Sequence, residues 1–318
     1  MKRFIALLMA ALMLLSLTAC GGDKPEPTDP VVEDNAPSFT FTKFGKAKVT
    51  LRGAEFAKDD DDEDFLRVYI DYVNMDATAA GHSPASALEI EATQNGEELD
   101  TDEFYADDEC HILEDLLFQY QVQPGIPMRT VINIYCSPAD GPVDVALHAM
   151  IGSWGYNADD VEWFKFQIDP QNLPEKAEAF QIQPIAEPKY AKDLPSSGTS
   201  TNGSNPFTIS LNGYELVTYD DQPALRVKMT YTHQHEWDMS PYSALTINAY
   251  QDGIALEQVD TWYLDEVTPE DEAYEVKISK GDTVNCNAIF LLRGENPAEV
   301  VVEQPLDDLC AALVCTVK

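Results

Sequence analysis

The sequence predicts an all-β chain of two tandem antiparallel β-sandwiches, and three observations carry that expectation. Apolar and polar residues alternate with a period of two, Asn-Gly and Asp-Gly pairs close the alternating runs, and one 17-residue block occurs twice. A period of two is the mark of a strand with one face buried, and the paired residues supply the positive φ angles of a tight hairpin.

The alternation is clearest in two runs. Leu66, Val68, Ile70 and Tyr72 alternate with Arg67, Tyr69 and Asp71, and Leu225, Val227, Met229 and Tyr231 alternate with Arg226, Lys228 and Thr230. Each run is expected to turn its first set to a core and its second to solvent. A second strand follows in each half, through Leu88, Ile90 and Ala92 and through Leu245, Ile247 and Ala249, ending at Asn95-Gly96 and Asp252-Gly253. No long segment of helical period occurs after the first twenty residues.

The repeat emerges from comparing the halves. Residues 83–99 match 240–256 without a gap, identical at 10 of 17 positions. Upstream, 49–56 aligns with 209–216 and 66–72 with 225–231. Downstream, Pro124-Gly125 answers Lys280-Gly281, and Pro142 to Val145 answers Pro297 to Val300. Blocks kept in order mean one domain present twice. Copies of this length, with short strands and frequent turns, suggest immunoglobulin-like sandwiches at 38–170 and 206–318. Each is expected to fold on its own. The first copy has a longer middle, from Thr101 to Gln121, and an added segment from Trp154 to Ile168 expected to form an extra hairpin. Between the copies, 171–205 is rich in Pro, Ser, Gly and Asn and reads as a linker.

The strand 225–231, the Gln-Asp/Asn-Gly-x-x-Leu hairpin and the closing Pro-x-Asp/Glu-Val resemble the immunoglobulin-like domains of unknown function common in bacterial lipoproteins. These are related in fold to a family of secreted immunogenic proteins. The resemblance spans about 38–170 and 205–304. It implies a β-sandwich outside the cell and supplies no activity or catalytic residue.

The N-terminus supplies an address. Lys2 and Arg3 precede an apolar run from Phe4 to Leu17, then Leu17-Thr18-Ala19-Cys20. This is a signal peptide over 1–19 closed by a lipobox, with Cys20 as the thiol that takes a diacylglycerol. Residues 20–37, with prolines at 25, 27, 30 and 37, read as a solvated tether. The expected localisation is exported and lipid-anchored on the outer face of the bacterial cell membrane.

The chain carries 20 Lys+Arg against 56 Asp+Glu, a net charge of −36, which excludes a nucleic-acid partner. The acids are spread along the chain and 44% of residues are hydrophobic, so the charge does not signal disorder. No catalytic constellation stands out. Gly152-Ser153-Trp154-Gly155 lacks the spacing of a nucleophile elbow, and no phosphate-binding glycine loop occurs. Asp59, Asp60, Asp61, Asp62, Glu63 and Asp64 form a candidate weak calcium site, weighed against a solvated hairpin turn like that at 219–223. His233 and His235 share a strand face as a disfavoured metal pair, with a polar loop as the better reading. Phe104-Tyr105 and Trp262-Tyr263 are expected as core or cross-strand pairs. An oxidising compartment favours a Cys110 to Cys136 disulfide and one bond among Cys286, Cys310 and Cys315; buried reduced thiols are the alternative.

These observations point to a non-enzymatic surface lipoprotein that needs no cofactor and binds an extracellular protein, peptide or cell-wall component. The alternatives are an extracellular metal-dependent hydrolase and a passive spacer or cation-binding coat protein.

Overall fold

The computed structural model describes residues 36–43, 46–59, 62–76, 81–102, 112–149, 161–178, 180–185, 187–201, 206–304 and 308–317. The signal peptide, Cys20 and the tether up to residue 35 lie outside them.

The first sandwich runs through β1 (Ser38–Phe41), β2 (Ala47–Lys58), β3 (Asp64–Asn74), helical turn α1 (Pro84–Ala87), β4 (Leu88–Gln94), β5 (Glu97–Glu98), β6 (Thr101–Asp102), α2 (Leu113–Leu117), β7 (Pro127–Tyr135), β8 (Val143–Ala149) and β9 (Trp163–Ile168). Its sheets have the orders β1-β2-β3-β7-β6 and β5-β4-β8-β9. The second runs through β10 (Ser197–Ser200), β11 (Phe207–Tyr219), β12 (Gln222–His233), α3 (Pro241–Ala244), β13 (Thr246–Gln251), β14 (Ile254–Ala255), β15 (Gln258–Val259), α4 (Pro269–Ala273), β16 (Thr283–Leu291), β17 (Ala298–Gln304) and β18 (Asp308–Cys315). Its sheets, β10-β11-β12-β16-β15 and β14-β13-β17-β18, repeat those orders.

Every strand pairing among the described residues is antiparallel, and the turns are those the sequence requires. Asn95 and Gly96 have φ of 55° and 83°, and Asp252 and Gly253 have 55° and 78°. The helical turns begin where Ser83 and Ser240 accept the N–H three residues on and a proline opens the turn. In each sandwich the alternating residues of both sheets close one core. Val49, Val68 and Ile70 meet Ala92, Val145 and Leu147 in the first; Leu225, Val227 and Met229 meet Ile247, Val300 and Val302 in the second. Each valine, leucine, isoleucine or methionine among them, removed from water, contributes about 1.5–3 kcal/mol.

Three expectations change. The described part of the segment 154–168 is β9, which is not an addition to the first copy, since it borders β8 as β18 borders β17. Residues 171–205 are not a free linker. Pro174 and Ala177 bond the edge of β2, Ser197–Ser200 is β10, and the second sandwich therefore starts at Ser197. Finally, the polar residues of β3 and β12 do not all face solvent, since Arg67, Tyr69 and Arg226 are buried. Other parts of the chain cover the outer face of these strands.

The two sandwiches lie in one compact unit, from Ala36 to Lys318. The hairpin of β13 and β14 reaches into the first sandwich. Gln123 N–H donates to Gly253 O and Ala255 N–H to Gln121 O, each at 2.8 Å, with Val122 bridged to Ile254 between them. Ile254 is fully buried, in the first sandwich's core. The Glu299 carboxylate, also buried, accepts from Gln123 Nε2 at 2.9 Å and from the backbone N–H groups of Lys189, Tyr190 and Ala191 at 3.1, 2.6 and 2.6 Å. One carboxylate thus joins both sandwiches and the segment between them. Loss of hydration there holds the Lys189 ammonium below its ordinary pKa, against the attraction of Glu299.

Candidate functional site

The acidic stretch after β2 is a hairpin turn in its described part. Asp59 Oδ1 accepts from Glu63 N–H at 2.8 Å, Asp62 has a φ of 66°, and Lys58 Nζ lies 3.0 Å from Asp62 Oδ1 and 3.6 Å from Asp64 Oδ1. The lysine takes up carboxylates that a cation would need. Asp60 and Asp61 lie outside the described residues. Among those that are described, no group of three or more His, Cys, Asp or Glu converges as a metal site.

His233 and His235 are held by hydrogen bonds instead of pointing to a common ligand. His233 is fully buried; its Nε2 lies 2.6 Å from Trp237 O and its Nδ1 2.8 Å from the Tyr231 hydroxyl. A carbonyl can only accept, so Nε2 carries the hydrogen and Nδ1 faces the phenol. Neither nitrogen of His233 is open to a metal. His235 Nδ1 accepts from Trp237 N–H at 3.2 Å.

The cysteines correct the disulfide expectation. Cys136, Cys286, Cys310 and Cys315 are free thiols, while Cys110 lies outside the described residues. Cys286 sits opposite Met229, and Cys315 opposite Ala298, as small apolar members of one core. Burial pushes the thiols of Cys286 and Cys315 up to about 12 and those of Cys136 and Cys310 up to about 11. Such groups are protonated, and so poorly nucleophilic, at neutral pH. Alkylation after denaturation without reductant is expected to modify all four. Peptide mass mapping that finds any of them in a disulfide overturns this.

The structure assembles instead a buried ionic cluster in each sandwich. Arg67 on β3 lies 3.3 Å from Asp115 on α2, and Asn133 Nδ2 donates to the same carboxylate at 2.7 Å. In the second sandwich, Arg226 Nη2 lies 2.9 Å from Asp271 on α4, Asn287 Nδ2 donates to that carboxylate at 2.8 Å, and Arg226 Nη1 reaches Glu215 at 2.7 Å. The asparagines are not at matching positions: Asn133 faces Arg67 across the sheet, whereas Asn287 faces Lys228. Both aspartates also cap their helical turns. Asp115 accepts from Ile112 N–H, and Asp271 from the N–H and hydroxyl of Thr268. Through these bonds the cluster pins each helical turn to the outer face of its sheet. The Asp271 side chain has 0% exposure, which suits it to hold the turn in place. The shared Leu-Arg-Val of 66–68 and 225–227 is the sequence signal that could have found it.

What stands open to solvent is the outer face of β11, β12 and β16. Asn212 Nδ2 donates to Thr230 Oγ1 at 2.7 Å, which donates to Asn285 Oδ1 at 2.8 Å. Beside this row, Lys228 Nζ holds Glu215 Oε2 at 2.6 Å. Hydrogen bonds from Lys228 and then Arg226, with their charges, hold the Glu215 carboxyl below the ordinary carboxylate value. Asn212, Glu215, Lys228, Thr268, Glu270 and Asn285 line a groove of about 360 Å³.

Among the described residues, exposed aromatic side chains stand near both ends of β12 on the same sandwich. Trp262 is 84% and Trp237 77% exposed, with Tyr242 and Tyr263 also exposed. Trp262 and Tyr263 are therefore not in the core, one of the two places expected for them from sequence; Phe104 and Tyr105 lie outside the described residues. Tyr263 packs edge-on against Tyr219 at 5.8 Å. Burial, and then the Asp260 carboxylate 3.2 Å away, push the Tyr219 hydroxyl up to about 12.

Comparison with known proteins adds a family description. Residues 189–304 match the model of a domain of unknown function, DUF5067. A solved structure from Staphylococcus aureus subsp. aureus NCTC 8325, provisionally described as a lipoprotein, is similar at 16% identity and a TM-score of 0.31, over 38% of this chain and 93% of that one. No curated protein matches the chain at a significant level.

Proposed function

We propose that this chain is a lipid-anchored surface lipoprotein whose second sandwich binds a protein, peptide or cell-wall component without catalysis or a cofactor. The address rests on the basic n-region, the apolar run and the lipobox ending at Cys20. The observation that carries the binding role is the exposure, among the described residues, of Trp237, Tyr242, Trp262 and Tyr263 on the second sandwich of an otherwise acidic protein. Aromatic side chains left in water on loops are the anchors on which recognition surfaces depend. The immunoglobulin-like resemblance is consistent with this, as such sandwiches commonly present loops on a rigid frame.

Two measurements test the reading. Cys20→Ser is expected to abolish incorporation of labelled fatty acid and to release the protein from the membrane; continued labelling defeats the lipid assignment. Envelope extract passed over the full mature chain should yield a partner whose retention falls at least tenfold with Trp262→Ala or Trp237→Ala. Equal retention by both variants defeats the aromatic binding surface.

A further inference from the structure

The first sandwich shows how the outer edge and face of this kind of sheet can be filled. β1 pairs with β2 only as far as Thr50, and Leu51 N–H reaches Pro37 O. Beyond the bulge at Leu51/Gly53, the chain at 174–178 takes over. Ala54 N–H donates to Pro174 O at 3.2 Å, and Ala177 N–H to Arg52 O at 2.8 Å. The segment then crosses the face of the sheet. Lys176 Nζ lies 2.9 Å from Glu55 and 4.4 Å above the Tyr69 ring, and Arg129 donates to Glu178 O at 2.5 Å. The fit is close: a Cβ on Gly53 would fall 2.5 Å from Glu175 O.

The second sandwich has the same bulge, at Leu211/Gly213, in the same register, with φ of 123° at Gly213 against 121° at Gly53. Matching register turns Asn212 C=O and Tyr214 N–H outward, as it does Arg52 C=O and Ala54 N–H. Here the edge is open among the described residues. Ser196 O accepts from Leu211 N–H, Asp265 N–H donates to Thr218 O, and among the described residues nothing comes within 4 Å of a Cβ built on Gly213. The track that 174–178 fills in the first sandwich is the groove across β11, β12 and β16 in the second.

The substitutions along the track describe its occupant. Arg52, Asp71 and Arg129, bound to one another in the first sandwich, are replaced by the neutral row Asn212, Thr230 and Asn285. Glu270, exposed, stands on the rim, and Asp220, Asp221, Asp260 and Asp265 surround the far end beside exposed Trp262 and Tyr263. Carboxylates next to bare aromatic rings attract lysine and arginine side chains, by charge and through the ring face. We propose that the open edge of β11 and its groove bind an extended basic peptide segment of a partner protein by strand addition. This rests on the binding role above and assigns the partner's chemistry.

The test uses the full mature chain carrying Cys20→Ser and a synthetic peptide, Lys-Thr-Val-Lys-Thr-Val-Lys-Thr. Its controls are the same peptide with Glu for Lys and one N-methylated at alternate backbone positions. The Lys peptide is expected to slow hydrogen exchange of the Tyr214 amide at least tenfold, and neither control should. Glu270→Lys, on an exposed side chain, is expected to weaken binding several-fold without a change in melting. Unchanged exchange at Tyr214 with the Lys peptide, or equal binding of the Glu peptide, overturns the proposal. If envelope extract yields a Trp262-dependent partner while Tyr214 exchange stays unchanged, strand addition fails and the broader binding role survives.

Discussion

Arg226→Met is expected to lower the unfolding free energy by about 3–5 kcal/mol, because it strands the Asp271 carboxylate in a site with no access to water. Asp271 would keep its bonds from Thr268 and Asn287 but lose the charge that balances it. The α4 turn would be held less firmly against β16. The double variant Arg226→Met with Asp271→Leu removes both charges and should recover much of the loss, since a buried ion pair exchanged for apolar groups of similar size is often close to neutral. Denaturant melts of the two variants decide the point. A single variant as stable as the parent would show that the cluster does not hold the turn, and a double variant no better than the single would show that the arginine's packing matters more than its charge.

Ile254→Ala is expected to cost about 2–5 kcal/mol, the range for emptying a fully packed aliphatic site. The location gives this loss a consequence of its own. Ile254 belongs to the second sandwich by sequence and to the first sandwich's core by contact, between Val122 and the hairpin that begins at Asp252-Gly253. Its truncation should therefore loosen the junction as well as lower stability. Hydrogen exchange would report this as faster exchange at Gln123 and Ala255, whose N–H groups bond across the junction. For the same reason, fragments 38–170 and 206–318 should each melt below the whole chain, as the second also loses β10. A full-length Ile254→Ala protein with parental stability and unchanged exchange at Gln123 would overturn this reading.

The features legible in the sequence are those that depend on neighbours along the chain. Leu66, Val68 and Ile70 announce a strand because side chains alternate between faces whatever packs on them. Asn95-Gly96 and Asp252-Gly253 announce hairpins because few residues accept a positive φ. That the two halves share one fold could be expected because the same local signals occur twice, in the same sequence.

The tertiary structure decided what depends on distant parts of the chain. Arg67 and Arg226 sit at positions that alternation assigns to solvent, but α2 and α4, more than forty residues away along the chain, return to cover them and supply the aspartates. Pro174 and Ala177 look like part of a linker, yet they complete the edge of β2, where the strand's own partner ends too early. The free cysteines follow the same logic: composition and compartment argued for pairing, whereas the space around Cys286 and Cys315 accommodates each as an apolar group. The open edge of β11 is visible only against its filled counterpart on β2, because a strand's unused hydrogen bonds are set by what lies beside it and leave no mark on its own residues.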